Sequence, residues 1–232
     1  MISINQPTVV LFDVDGTLID CGGAGRRAME ATFRELDANT DALGFTFAGL
    51  TDRAIVRSGL RTLKRGDDDA SIDGVIARYL EHLAAELPRS EGYRILAGVS
   101  ELLGRLASIE GLVVGLGTGN VEPGARAKLR RGGLDRSFAF GGFGSDHEDR
   151  ARLLEVGATR GAVALDVSRA ACRVVVVGDT PRDVRAAHAI GAECVAVATG
   201  GYDQDALTNA GARRPLAALD APEAFDAVVG AL

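Results

Sequence analysis

The sequence predicts an α/β protein: a doubly wound parallel sheet with a small all-helical domain inserted after the first strand. Three observations predict it. Short apolar runs rich in β-branched residues recur at 9–12, 112–117, 138–143, 173–178 and 194–199, and each reads as a strand buried on both faces. Amphipathic stretches with apolar residues at helical spacing separate these runs, and strands alternating with helices make a parallel sheet with right-handed crossovers. Between residues 20 and 90 the alternation stops and only helical stripes remain. The expected division is therefore a core of residues 1–19 and 91–232 and a helical cap of residues 20–90.

Taken in order, the first strand runs from Val9 to Phe12 into Asp13-Val14-Asp15-Gly16-Thr17. A strand has period 2, so Asp13 and Asp15 leave its end on the same side, and Gly16 tolerates the positive φ of a sharp turn. The cap shows Met29, Phe33 and Leu36 at helical spacing, then Val56, Gly59, Leu60 and Leu63. Its clearest stripe is Ile72, Val75, Ile76, Tyr79, Leu80, Leu83 and Leu87, with Ser71 as the expected N-cap and Pro88 as a stop. Gly22, Gly23 and Gly25 on the way out and Gly92 to Gly98 on the way back are candidate hinges. Back in the core, Val99, Leu102, Leu103 and Leu106 share one helical face. The second core strand ends in Gly117-Thr118-Gly119-Asn120, before a helix begun at Pro123. The fourth ends in Gly178-Asp179-Thr180-Pro181-Arg182-Asp183, with Pro181 opening a helix that Gly191 closes. Phe225, Val228, Val229 and Leu232 are expected to pack a closing helix on the core.

Composition narrows the function. The chain has 232 residues, is 47% hydrophobic and carries a net charge of −6, with no basic run beyond Arg130-Arg131 and Arg213-Arg214. This argues against a nucleic-acid surface and fits a protein that handles small molecules. No apolar run is long enough to span a bilayer. Three widely spaced cysteines, Cys21, Cys172 and Cys194, without a CxxC, suggest reduced thiols and a cytoplasmic setting. Cys21 lies near the acids and is read as a packing residue, with reactivity as the alternative.

Two acids at the carboxyl end of a buried strand need a cation or a shared proton. The Thr118 hydroxyl and the backbone of Gly119 and Asn120, at the end of another strand, can form an oxyanion cradle. Asp179 and Asp183 stand at a third strand end and the first turn of the following helix. Asp183 could instead serve only the helix N-terminus.

Asp-x-Asp-Gly-Thr at Asp13 to Thr17 closely resembles the first motif of the haloacid dehalogenase-like hydrolases. Thr118 resembles the second, a Thr or Ser ending strand two, and Gly-Asp-Thr-x-x-Asp at Gly178 to Asp183 resembles the fourth. The resemblance implies a Rossmann-like core and an aspartyl-phosphate mechanism. Asp13 is then the nucleophile, and Asp15 is the general acid and base, which requires a raised pKa. Mg²⁺ would be held by Asp13, the Asp15 carbonyl, Asp179 and Asp183. Gly16, Thr17, Gly119, Asn120 and Arg26 are expected around phosphate and substrate, with Arg53 as an alternative to Arg26. The family's third motif usually carries Lys, and the segment from Phe143 to Arg152 has none. Arg150 is the expected substitute and Arg152 the runner-up. The only lysines are Lys64 and Lys128, and Lys128, after strand two, is judged badly placed.

The expected function is a Mg²⁺-dependent phosphatase for a small phosphorylated metabolite of the phosphoglycolate, sugar-phosphate or nucleotide type, acting as a monomer or homodimer. The alternatives are a sugar phosphomutase or a non-catalytic phospho-ligand binder on the same fold.

Overall fold

A computed structural model describes residues 3–38 and 41–230. Its centre is a five-stranded parallel sheet of β1 (Ser3–Phe12), β4 (Glu110–Thr118), β5 (Gly141–Phe143), β6 (Arg173–Gly178) and β7 (Glu193–Ala196), in the order β5-β4-β1-β6-β7. The order reverses on either side of β1, the signature of a doubly wound sheet. β1 is the middle strand: Leu11 pairs with Gly115 on one side and Val176 on the other. The Asp13 amide extends the ladder by one bond, to the Val177 carbonyl at 2.9 Å.

Alternation along β1 divides the core. Val9 and Leu11 pack with Val174, Val176, Leu153 and Leu154 on one face, whereas Val10 and Phe12 join Val175 and Val177 in the larger cluster on the other. The first face is covered by α6 (Arg150–Ala164) and α7 (Pro181–Ala189). The second is covered by α4 (Val99–Leu106), α5 (Glu122–Arg131) and α9 (Ala224–Val229). α8 (Gln204–Asn209) closes a smaller cluster beside α7. Leu232, expected in the last packing stripe, lies outside the described residues.

Three sequence expectations are corrected in detail. The run at 138–143 becomes a strand only from Gly141: Arg126 takes the Phe138 carbonyl, which a longer ladder would need. Residues 19–21 and 93–95, where no strand was expected, form β2 (Ile19–Cys21) and β3 (Tyr93–Ile95), an antiparallel ribbon. Three-residue strands are too short to show a period. Between them lie α1 (Ala24–Leu36), α2 (Asp52–Thr62) and α3 (Asp69–Glu86). The N-cap of α3 is Asp68, whose carboxylate accepts from the Ser71 amide at 3.0 Å, so Ser71 lies inside the helix. Phe33 of α1 and Ile72, Tyr79 and Leu83 of α3 fill the space between these helices. Among the described residues no helix is long and apolar enough to cross a membrane.

Candidate active site

The carboxyl ends of β1, β4 and β6 meet at one point, so Asp13, Thr118 and Asp179 converge there. Asp13, Asp179 and Asp183 offer carboxylate oxygens within 4.8 Å of one another, and all three are buried. Gly16 turns the chain with a φ of +81°, and a Cβ there would lie 2.4 Å from Asp179 Oδ2, so only glycine lets the turn pass this close. Burial pushes both the Asp13 and the Asp179 carboxyls up, and the charge of Asp183 adds to it, against the opposing pull of Arg150. Acids in this state favour a bound cation, and an all-oxygen donor set suits Mg²⁺. These three carboxylates therefore fit the metal.

Asp183 does more than stand in this group. It closes a capping box with Thr180 at the start of α7, accepting from the Thr180 amide at 3.0 Å and hydroxyl at 2.7 Å, and its other oxygen accepts from Arg150 Nε at 2.7 Å. The capping alternative and the cluster role thus coexist in one carboxylate.

Arg150 is the first residue of α6, because Asp149 caps that helix through the Arg152 amide. This turns the guanidinium back to the strand ends. Its NH2 is buried between two carboxylates, 2.7 Å from Asp13 Oδ2 and 2.5 Å from Asp183 Oδ1. Arg152 is exposed, so the structure places Arg150, and not its runner-up, beside Asp13.

Asp15 departs from expectation. Its side chain is 43% exposed, against 8% for Asp13, so it is the more accessible of the two. Lys128, judged badly placed from sequence, is buried with Nζ 2.6 Å from Asp15 Oδ2. Asn120 joins them: its Nδ2 donates to Asp15 Oδ2 at 2.8 Å, and its Oδ1 accepts from Lys128 Nζ at 2.5 Å. Burial pushes the Asp15 carboxyl up, but the Lys128 charge and hydrogen bond, with that of Asn120, outweigh it and hold the carboxyl below its ordinary value. The expected raised pKa is therefore corrected: the resting Asp15 is a carboxylate, because a buried ammonium pairs with it.

The helices α1–α3 roof a cavity of about 500 Å³ over these groups, with Met29, Phe47, Ile55 and Tyr79 on its upper wall. The roof is fastened to the core by its own backbone. The Asp52 amide donates to the Gly119 carbonyl at 2.8 Å, and Asp52 Oδ2 accepts from the Val121 amide at 2.9 Å. A Cβ on Gly119 would lie 2.4 Å from the Leu50 carbonyl oxygen, so glycine is needed there to admit the roof. At the rim Arg57 holds Glu148 through Nε at 3.0 Å and NH2 at 2.7 Å.

Three expected phosphate or substrate contacts are engaged otherwise. Thr17 is buried and its hydroxyl donates to Asp179 Oδ1 at 3.2 Å, orienting a carboxylate. The Gly16 amide donates to the Ile19 carbonyl at 2.8 Å. Arg26 lines the cavity, but its guanidinium donates to the Leu43 and Phe45 carbonyls and to Glu30 and lies over the Phe47 ring, so it shapes the wall. Arg53 is paired with Asp69. The Cys21 thiol, buried beside Asp15, is pushed up by burial and by the Asp15 charge, which keeps it protonated and inert.

The model of the haloacid dehalogenase-like hydrolases matches residues 7–191. The chain belongs to that family. It is 30% identical over 215 residues to a phosphoglycolate phosphatase of Rhodospirillum rubrum, covering 89% of this chain and 86% of the relative. It is 29% identical over 203 residues to one of Mesorhizobium japonicum, covering 84% and 85%. Among solved structures, CbbY of Rhodobacter sphaeroides in complex with phosphate superposes with a TM-score of 0.72 at 21% identity, over 96% of this chain and 99% of that one. That likeness carries the fold.

In this hydrolase, residues that resemble the first, second and fourth motifs meet at one point, and Arg150 stands beside Asp13 there. Sequence reasoning missed Lys128, Asp52 and Glu148. For Lys128 a signal existed: it falls three residues after Ala125 and seven after Val121, both buried, so it lies on the inward stripe of its helix. Asp52 stands in a polar stretch of the cap, Thr51 to Arg53, but its partner, like that of Glu148, comes from the other side of the cleft and leaves no local pattern.

Proposed function

We propose that this hydrolase is a Mg²⁺-dependent phosphatase that removes phosphate from a small metabolite through a covalent phosphoryl group on Asp13. The observation that carries the reading is the floor of the cavity, where three buried carboxylates gather around the Arg150 guanidinium. Arg150, whose NH2 lies between Asp13 and Asp183, turns a donor to an equatorial phosphoryl oxygen when substrate enters. Asp13 forms the new O–P bond while the bond to the leaving oxygen breaks in line with it. Asp15, protonated from solvent as substrate binds, hands that proton to the leaving oxygen and then takes one from the attacking water. An incoming phosphate dianion raises the proton affinity of Asp15 against the pull of Lys128. Mg²⁺ bound by Asp13, Asp179, Asp183 and the Asp15 carbonyl would offset the repulsion between nucleophile and phosphate.

Residues 20–90 act in this reading as a lid that keeps bulk water from the phosphoryl group, supported by the Asp52–Gly119, Asp52–Val121 and Arg57–Glu148 contacts. The likeness to two phosphoglycolate phosphatases supports a two-carbon phospho-acid as this chain's substrate ahead of sugar phosphates or nucleotides. The test is phosphate release from a panel of small esters with and without Mg²⁺, for wild type and Asp13→Asn. Release that needs the metal and vanishes in the variant is expected. Undiminished release by the variant, or no release by the wild type from any ester, overturns the proposal.

A further inference from the structure

Lys128 is a buried cation that the proposed reaction at phosphorus does not use. Its ammonium has three donors. Among the described residues two are engaged, by Asp15 Oδ2 and Asn120 Oδ1. The group nevertheless borders the cavity, as does Gly25 of α1. A Cβ at Gly25 would stand 3.3 Å from Nζ, so the glycine leaves free the space in front of the ammonium. The N-terminus of α1 opens on the same wall, and Gly23 gives it no side-chain cap, which adds a partial positive charge on the side of Lys128.

The other cations of the cavity are committed elsewhere. Arg150 is turned to Asp13 and Asp183. Arg26 is spent on Glu30 and two backbone carbonyls. Arg94 pairs with Asp20 at 2.6 Å and is 62% exposed. Position then fixes what Lys128 can reach. Asp15 must come within hydrogen-bond distance of the leaving oxygen to protonate it. Lys128 lies beyond that same carboxylate, so it stands on the leaving-group side, opposite the Arg150 side where the phosphoryl group is held. An anion taken by Nζ is at most three hydrogen-bond lengths, roughly 8 Å, from the leaving oxygen.

We propose that Lys128 is a specificity-determining residue: its ammonium receives an anionic group, a carboxylate or a second phosphate, carried on a short leaving group. This rests on the phosphatase reading above and deepens it, by assigning the choice of substrate to a lysine outside the family motifs. Asp15 and Asn120 hold the ammonium in place before substrate arrives, so the contact costs little ordering.

Two matched pairs of esters test it with the Mg²⁺-loaded protein. One pair is 2-phosphoglycolate and its neutral amide. The other is ethylene glycol bisphosphate and 2-hydroxyethyl phosphate. The wild type is expected to prefer the charged member of at least one pair by about tenfold or more in kcat/KM, and the pair that shows it names the anion. Lys128→Gln is expected to erase that preference through KM of the charged ester, with Lys128→Arg restoring part of it. Losses shared equally by charged and neutral esters would make Lys128 only a support for Asp15 and overturn the proposal. So would parity of both pairs in the wild type, a result that needs no variant to fold. A wild type that releases no phosphate from any of the four esters fails the phosphatase reading itself, which separates the two failures.

Discussion

The two aspartates of the first strand end sit in opposite electrostatic settings. Asp13 shares its side with Asp179 and Asp183 against one cation, Arg150, so negative charge is in excess there. Asp15 is matched by Lys128 and a neutral amide. The same strand therefore delivers one carboxylate that is raised and one that is lowered. The unbalanced side suits a divalent cation, and in the proposed reaction the balanced side handles the leaving group and whatever charge it bears.

Breaking the unbalanced side has the largest expected effect. Arg150→Met removes the guanidinium from Asp13 and Asp183 together. It should cut kcat by about a thousandfold and, by leaving buried carboxylates without a partner, lower unfolding free energy by about 3–5 kcal/mol in urea titrations. Arg150→Lys should recover stability better than activity, because a point charge lacks the fork of donors. Equal recovery of both would mean that only charge matters there.

The next effect is on stability against pH. Asp13, Asp52 and Asp179 all have folded-state affinities for protons above the unfolded value, with Asp52 pushed up to about 6 and Asp179 to about 8. Such groups bind protons more tightly when folded. Their stabilisation is full below about pH 4, the unfolded carboxyl range, and is lost as pH rises through the folded values. Metal-free protein should therefore lose Tm between about pH 4 and about 8. Added Mg²⁺ should raise Tm more at pH 8 than at pH 5. A Mg²⁺ effect independent of pH would remove the cation from this cluster.

On the balanced side Asn120→Ala leaves the Lys128–Asp15 pair without its second anchor. A stability loss of about 1–3 kcal/mol follows from stranding buried polar atoms, with kcat lowered about tenfold and KM changed less. At the rim the expected change is smallest. Arg57→Ala or Glu148→Gln should raise KM a few-fold with kcat nearly constant, and the double variant should match either single one. Independent, additive effects would mean that the pair does not fasten the roof.

Legibility in the sequence followed the range of the interactions. The ends of β1 and β6 could be read because strand period and turn chemistry act over neighbouring residues: Val9 to Gly16 and Val174 to Asp183 each contain their own instructions. Arg150 was expected only from the resemblance to the third motif, and it is the cap at Asp149, within the same stretch, that starts its helix and sets it at the strand ends. Arg26 was misjudged because its partners, the Leu43 and Phe45 carbonyls, belong to a loop with no local pattern. Thr17 was misjudged because its acceptor, Asp179, is 162 positions away.

The sequence by itself determined the doubly wound sheet, the helical insertion and the strand ends at which the acids gather, since apolar periodicity and short motifs are local properties of a chain. Only the tertiary structure decided the charge state of Asp15. Lys128 lies 113 positions from it in the chain and reaches it by packing one helix against the sheet. Ionisation depends on burial and on every charge within a few ångströms, and distances of that kind exist only once the chain has closed on itself.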